Sequence, residues 1–151
     1  MELKYRSADF EDLESLVALL SNDPLGSKRE DASLPLNSAY LEAFEAIVRD
    51  PNNELLVVEQ ESSLVGMLQI TFIPYLTHIG SWRGLIEGVR IHSDYRGQGF
   101  GEQMFAHAIE LAKSKGCTIV ELTSDKQRTD TIRFYEKIGF KATHEGFKLA
   151  L

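Results

Sequence analysis

Residues 85–122 alternate in an order that few architectures accommodate. An apolar, β-rich run, Leu85 to Ile91, meets a glycine-rich turn, then an amphipathic stretch from Phe100 to Lys115, then a second β-rich run from Ile119 to Leu122. In the amphipathic stretch Phe100, Met104, Phe105, Ala108, Leu111 and Ala112 recur at helical spacing, with Gln103, His107, Glu110 and Ser114 on the other face. Gly116 supplies the stop. Strand, helix, strand predicts one parallel crossover.

The rest of the chain predicts hairpins. A short strand at Leu3–Arg6 leads to Asp9, an N-cap for a helix carrying Leu13, Leu16, Val17 and Leu20, which Asn22–Gly26 ends. Ser27 to Pro35 is polar and irregular, and a second helix is predicted from Ser38 to Val48, closed by Asp50–Asn53. Leu55–Glu59 and Leu64–Phe72 flank the polar turn Glu61–Ser63 and read as an antiparallel pair. Asp130–Lys137 is a short helix stopped by Gly139, and Phe147–Leu151 a last strand. The sheet is therefore expected to be mixed, in one domain spanning residues 1–151.

Composition narrows the class. With 43% hydrophobic and 26% charged residues the chain is ordinary for a globular domain, and no apolar run approaches the ~20 residues of a membrane span. A net charge of -7, without a local Lys/Arg cluster, opposes nucleic acid as a partner. The N-terminus lacks an apolar signal core and Cys117 is the sole cysteine, which predicts a cytoplasmic protein without an internal disulfide. His78, His92, His107 and His144 show no ligand spacing, so no metal is assigned. Cys117, between a helix stop and a strand, reads as an inert half-buried thiol.

The segment Arg96-Gly97-Gln98-Gly99-Phe100-Gly101 is where chemistry is expected. Glycines let backbone N–H groups approach a ligand closely, and the following helix adds its positive N-terminal dipole, which together suit a pyrophosphate. A purely structural strand-to-helix turn would use the same residues. The Rossmann fingerprint is excluded because Glu102 stands where its third glycine belongs, and no Gly-Lys-Ser/Thr ending marks a P-loop.

Arg96-x-x-Gly99-x-Gly101 is similar to the Arg/Gln-x-x-Gly-x-Gly/Ala motif of the GNAT acetyltransferases, and Arg133-Phe134-Tyr135-Glu136-Lys137-Ile138-Gly139-Phe140 resembles the Phe-Tyr-Glu-x-x-Gly-Phe helix of the same superfamily. The resemblance implies an α/β (α+β) GNAT fold. Its mixed, mostly antiparallel sheet would have about six to seven strands flanked by four helices, with a V-shaped splay between the fourth and fifth strands. It also implies an acetyl-CoA-dependent N-acetyltransferase acting on a primary amine of a small molecule. The alternatives are a protein or peptide acceptor, or a non-catalytic acyl-CoA-binding regulator. A homodimer is implied as well.

Roles follow from the resemblance residue by residue. The bulged strand would pair with the pantetheine arm through Val89, Arg90 and Ile91, and the pyrophosphate would rest on Gly97, Gln98, Gly99, Phe100, Gly101 and Glu102. Arg96 would add charge, or is a solvated surface residue. Glu87 matches a carboxylate position of small-amine acetyltransferases. An alkylammonium with a pKa near 10.4 must shed a proton before attack, a deficit of about 4 to 5 kcal/mol at pH 7, so Glu87 is the candidate base, relayed through water. The alternative is a charge on a solvent-facing strand position. The Val89 N–H would face the oxyanion.

Tyr135 would protonate the departing thiolate, or pack with Phe134 and Phe140; Phe134 itself is a cofactor contact by the same resemblance. Arg128 occupies the place of a pantetheine-binding asparagine, and Lys126-x-Arg128 resembles the branch containing aminoalkylphosphonate acetyltransferases. Tyr75, His78 and Trp82 flank a turn that shapes the acceptor pocket in family members, and equally suit sheet packing.

Overall fold

A computed structural model describes residues 2–151, and it divides into two compact units, residues 2–121 and 122–151. In chain order the elements are β1 (Lys4–Ser7), α1 (Leu13–Ser21), α2 (Gly26–Arg29), α3 (Ser38–Arg49), β2 (Asn53–Gln60) and β3 (Ser63–Pro74). They continue with α4 (Thr77–Gly80), β4 (Trp82–Ile91), α5 (Phe100–Ser114), β5 (Cys117–Leu122) and α6 (Thr129–Lys137).

The strands form one sheet in the order β1-β2-β3-β4-β5, with β1 to β4 antiparallel in succession. Tight connections explain the order: Glu61 and Ser62, both at positive φ (49° and 66°), make the two-residue turn that returns β3 along β2. β5 enters after α5, the crossover expected of a mixed sheet. Among the described residues the sheet has five strands rather than the six to seven anticipated. The predicted last strand, Phe147–Leu151, takes no regular structure, and Phe147, Leu149 and Leu151 are 94%, 86% and 117% exposed; a period-2 apolar pattern specifies a face without supplying a strand to pair with.

The first unit carries the core. Register places Leu55, Met67, Gln69 and Glu87 on one sheet face, and Leu68, Ile70 and Ile86 on the other. α1 covers the first face: Leu16 and Leu19 pack with Val57 and Met67, while Leu13 and Val17 pack with Phe44 of α3. α5 lies on the second, where the Gly84 Cα lets Ala112 come close. Leu16, Val17, Leu68, Ile86, Met104 and Phe105 are each 2% exposed or less, and full burial of such side chains stabilises by ~1.5 to 3 kcal/mol apiece.

An ion-pair network unread in the sequence fixes the entry to α1. Asp9 caps the turn Phe10–Asp12 in a capping box. The Arg6 guanidinium donates to both Asp12 oxygens (2.7 and 2.8 Å) and to Glu59 Oε1 (2.6 Å), joining β1, the helix start and β2. The hydrogen bond from Arg6 holds the Asp12 carboxyl below the usual carboxylate value, against the opposing effect of its burial.

Candidate active site

A break in one strand register defines the site in the first unit. Met67 opposes Arg90 and Gln69 opposes Glu87, so Leu68 alone faces Gly88 and Val89, a one-residue bulge in β4. Gly88 sits at φ 62°, where a side chain would be strained, and the bulge interrupts the ladder, leaving its extra residue without a ladder partner on β3. Pairing resumes at Arg90 with Met67 and continues to Ile91 with Gly66. An isolated glycine inside an apolar strand run is the sequence signal for this feature.

Glu87 precedes the bulge and is exposed, on the face it shares with Gln69 and Met67. The Arg90 side chain is engaged within the protein: it donates to the Val89 carbonyl (2.8 Å) and the Leu20 carbonyl (3.5 Å), and its Nε lies 3.8 Å from Asp23 Oδ2. With side chains 10% and 14% exposed, Arg90 and Asp23 tie the end of α1 to the bulge. Any contact Arg90 makes with a cofactor falls to its backbone.

Downstream, a helical turn at Ser93–Tyr95, capped by His92 Nδ1 accepting from the Asp94 N–H (3.2 Å), turns the chain into the glycine loop. Gly97 and Gly99 adopt φ 75° and 79°, and Gly99 is the N-cap of α5. A Cβ added at either meets nothing within 4 Å. Dihedral angle rather than crowding therefore requires glycine, and the space in front of the loop is open. The Gln103 N–H donates to the Gly99 carbonyl (3.3 Å), and the backbone N–H groups of a helix's first turn, here beginning at Phe100 and Gly101, point out of its end. That is an anion-binding geometry, and Gly97, Gln98 and Gly99 are all exposed beside it. The Phe100 ring is 7% exposed, so only its backbone is available to a ligand. Arg96 folds back, donating from Nε to the Ile91 carbonyl (3.2 Å).

The second unit holds α6. Arg128 precedes it, its carbonyl accepting from the Thr131 and Ile132 N–H groups (3.1 and 3.3 Å). Tyr135 packs at ring-centroid distances of 5.6 Å from Phe134 and 5.9 Å from Phe140, half-buried, and the Phe140 N–H closes the helix end on the Tyr135 carbonyl.

Tyr75, His78 and Trp82 lie at the opposite end of β4 from the bulge. Gly88 lies six positions along the strand from Trp82, about 20 Å, and the Arg83 guanidinium stacks over the Tyr75 ring at 4.2 Å. Burial pushes the Cys117 thiol up, away from the thiolate form.

A bulged strand feeding a glycine loop and an open helix N-terminus makes a site able to hold an extended ligand with an anionic end. Comparison with known proteins gives the family. Residues 13–140 match the model of the acetyltransferase (GNAT) family. The aminoalkylphosphonate N-acetyltransferase of Salmonella typhimurium is 33% identical over 113 residues, 75% of this chain and 73% of that one. The glucosamine 6-phosphate N-acetyltransferase of Trypanosoma brucei brucei is 35% identical over 88 residues, 58% of each. A crystal structure of a Bacillus halodurans protein described as a transcriptional regulator superposes with a TM-score of 0.96 at 53% identity, covering 99% of this chain and 100% of that one. The chain belongs to the GNAT acetyltransferase family and is an N-acetyltransferase.

Proposed function

We propose that this enzyme transfers the acetyl group of acetyl-CoA to a primary amine of a small molecule, by direct attack within a ternary complex. The carrying observation is the bulge at Gly88–Val89, flanked by exposed Glu87 and followed by the open N-terminus of α5. The N–H groups of Gly97 to Glu102 hold the pyrophosphate, and the backbone of Val89 to Ile91 lines the pantetheine arm. Glu87 draws in the cationic amine and accepts its proton through a water, so that a neutral nitrogen attacks the thioester carbonyl. The Val89 N–H stabilises the negative oxygen that develops. As the C–S bond breaks, Tyr135 gives its proton to the thiolate, a role assigned on its place in the Arg133–Phe140 motif. Arg128 and Phe134 are assigned to the cofactor on the same ground. Net products are an amide and CoA.

Two relatives favour a small acceptor, being named for an aminoalkylphosphonate and a glucosamine 6-phosphate, while another, 32% identical over 111 residues, is named for peptidyl-lysine. The test is a CoA-release assay across simple amines, aminoglycosides, polyamines, aminophosphonates and peptides. Amine-dependent release from a small molecule is expected; release with peptides alone would contradict the proposal.

A further inference from the structure

Between α1 and α3, against the face of the sheet that carries Glu87, lies a cleft of about 190 Å³. Leu16, Val17 and Leu20 form one wall, Phe44 and Ile47 the other, and Met67 the floor. Of its lining residues only Tyr40 and Gln69 bear a polar side-chain group, and both are engaged elsewhere. The Tyr40 hydroxyl donates to Glu30 Oε1 (2.9 Å) and accepts from the Asp31 N–H (3.0 Å), while Gln69 Nε2 donates to Asn53 Oδ1 (3.0 Å). No lining residue is charged.

The cleft reaches the bulge. Gly88 lines it, and so does Gln69, the residue directly across from Glu87 in the β3–β4 register. Glu87 is thus one residue from a lining position along its own strand, about 3.8 Å Cα to Cα, and about 5 Å from another across the sheet. A carboxylate beside an apolar, uncharged cleft is complementary to a molecule with an ammonium at one end and an apolar body at the other. A cavity of ~150 Å³ lined by aliphatic and aromatic groups holds benzene, so this one accommodates a phenyl ring or branched alkyl group. A phosphonate or sugar phosphate would find no cation among the lining residues.

We infer that the α1–α3 cleft is the acceptor's side-group pocket, and that it selects primary amines carrying a compact apolar group, such as arylalkylamines, over phosphorylated or polyhydroxy amines. The inference rests on the proposed acetyl transfer. Selectivity comes from burying the ring next to the bulge, while Glu87 keeps the nitrogen at the reacting end.

The test compares kcat/KM for 2-phenylethylamine, ethanolamine and 2-aminoethylphosphonate, in the parent and in Ala43→Trp, which fills the cleft from an exposed α3 position. Equilibrium binding of acetyl-CoA and the circular dichroism spectrum report on folding. The parent is expected to prefer 2-phenylethylamine by roughly 10- to 100-fold, and Ala43→Trp to lose that preference through KM. Perturbation of Met67 and Leu20 methyl NMR signals by 2-phenylethylamine gives a second readout independent of turnover. A parent preference for ethanolamine or the phosphonate, or undisturbed methyl signals, overturns the pocket and leaves acetyl transfer standing. Absence of transfer to every amine, with acetyl-CoA still bound, overturns both.

Discussion

Replacing Gly99 by aspartate separates the loop's role in binding from its role in folding. Gly99 sits at φ 79° as the N-cap of α5, and a Cβ there meets no atom within 4 Å. The structural cost is therefore the left-handed backbone alone, ~1 to 2 kcal/mol for an ordinary residue, and aspartate both tolerates that region and is a favourable cap. A net loss of about 1 kcal/mol lowers Tm by roughly 2 to 4 °C in a chain of this size. The effect on binding is larger. A carboxylate about 5 Å from one pyrophosphate charge, at an effective dielectric near 20, is repelled by ~3 kcal/mol, and solvent exposure reduces this to about 2 to 3. Acetyl-CoA affinity should fall roughly 30- to 150-fold. Calorimetric titration and a thermal melt of the same sample measure the two quantities, with Gly99→Ala as the uncharged control, expected to lose much less affinity. Parental affinity in Gly99→Asp, or equal losses in both variants, would refute the anion-binding role of the loop.

Other predictions rest on separate features. Glu87→Gln should lower turnover at neutral pH and lose less at high pH, where the amine deprotonates unaided; a uniform loss across a pH–rate profile marks binding instead. Tyr135→Phe keeps the ring that packs on Phe134 and Phe140 and should cut kcat by about 10² or more, with acetyl-CoA affinity little changed; unchanged single-turnover rates would remove Tyr135 from the chemistry. Arg6→Met should destabilise the fold at neutral pH. Because Arg6 depresses the folded Asp12 value, that stabilisation is fully present above about pH 4 and is lost as pH falls through the lowered value. Urea melts of parent and variant should therefore converge in acid; a gap independent of pH would exclude the ion pair as its source.

Local pattern carried much of the fold. α5 was legible as Phe100 to Lys115 and ends at Ser114, because its apolar positions, its glycine cap and Gly116 all agree. The β2–β3 turn and the cap at Asp9 were equally local. Long-range pairings were not. That Arg6 spans Asp12 and Glu59, and that Arg90 turns toward Leu20 and Asp23 instead of outward, depends on which elements become neighbours, and no spacing encodes it. The tail misled for a related reason: Phe147, Leu149 and Leu151 alternate like a strand, but alternation specifies a face and not a partner. In the site, the glycine loop was readable since φ above zero needs glycine, whereas the apolar cleft is assembled from α1, α3 and three strands, and its residues look like core in any one window.

Initial rates with carbonyl-labelled acetyl-CoA and the preferred amine, both concentrations varied, test direct transfer most sharply. The account predicts intersecting double-reciprocal lines, label on the amine nitrogen as an amide, and an unmodified protein mass throughout turnover. Parallel lines with a labelled acetyl group on the protein, at Cys117 or elsewhere, would contradict it.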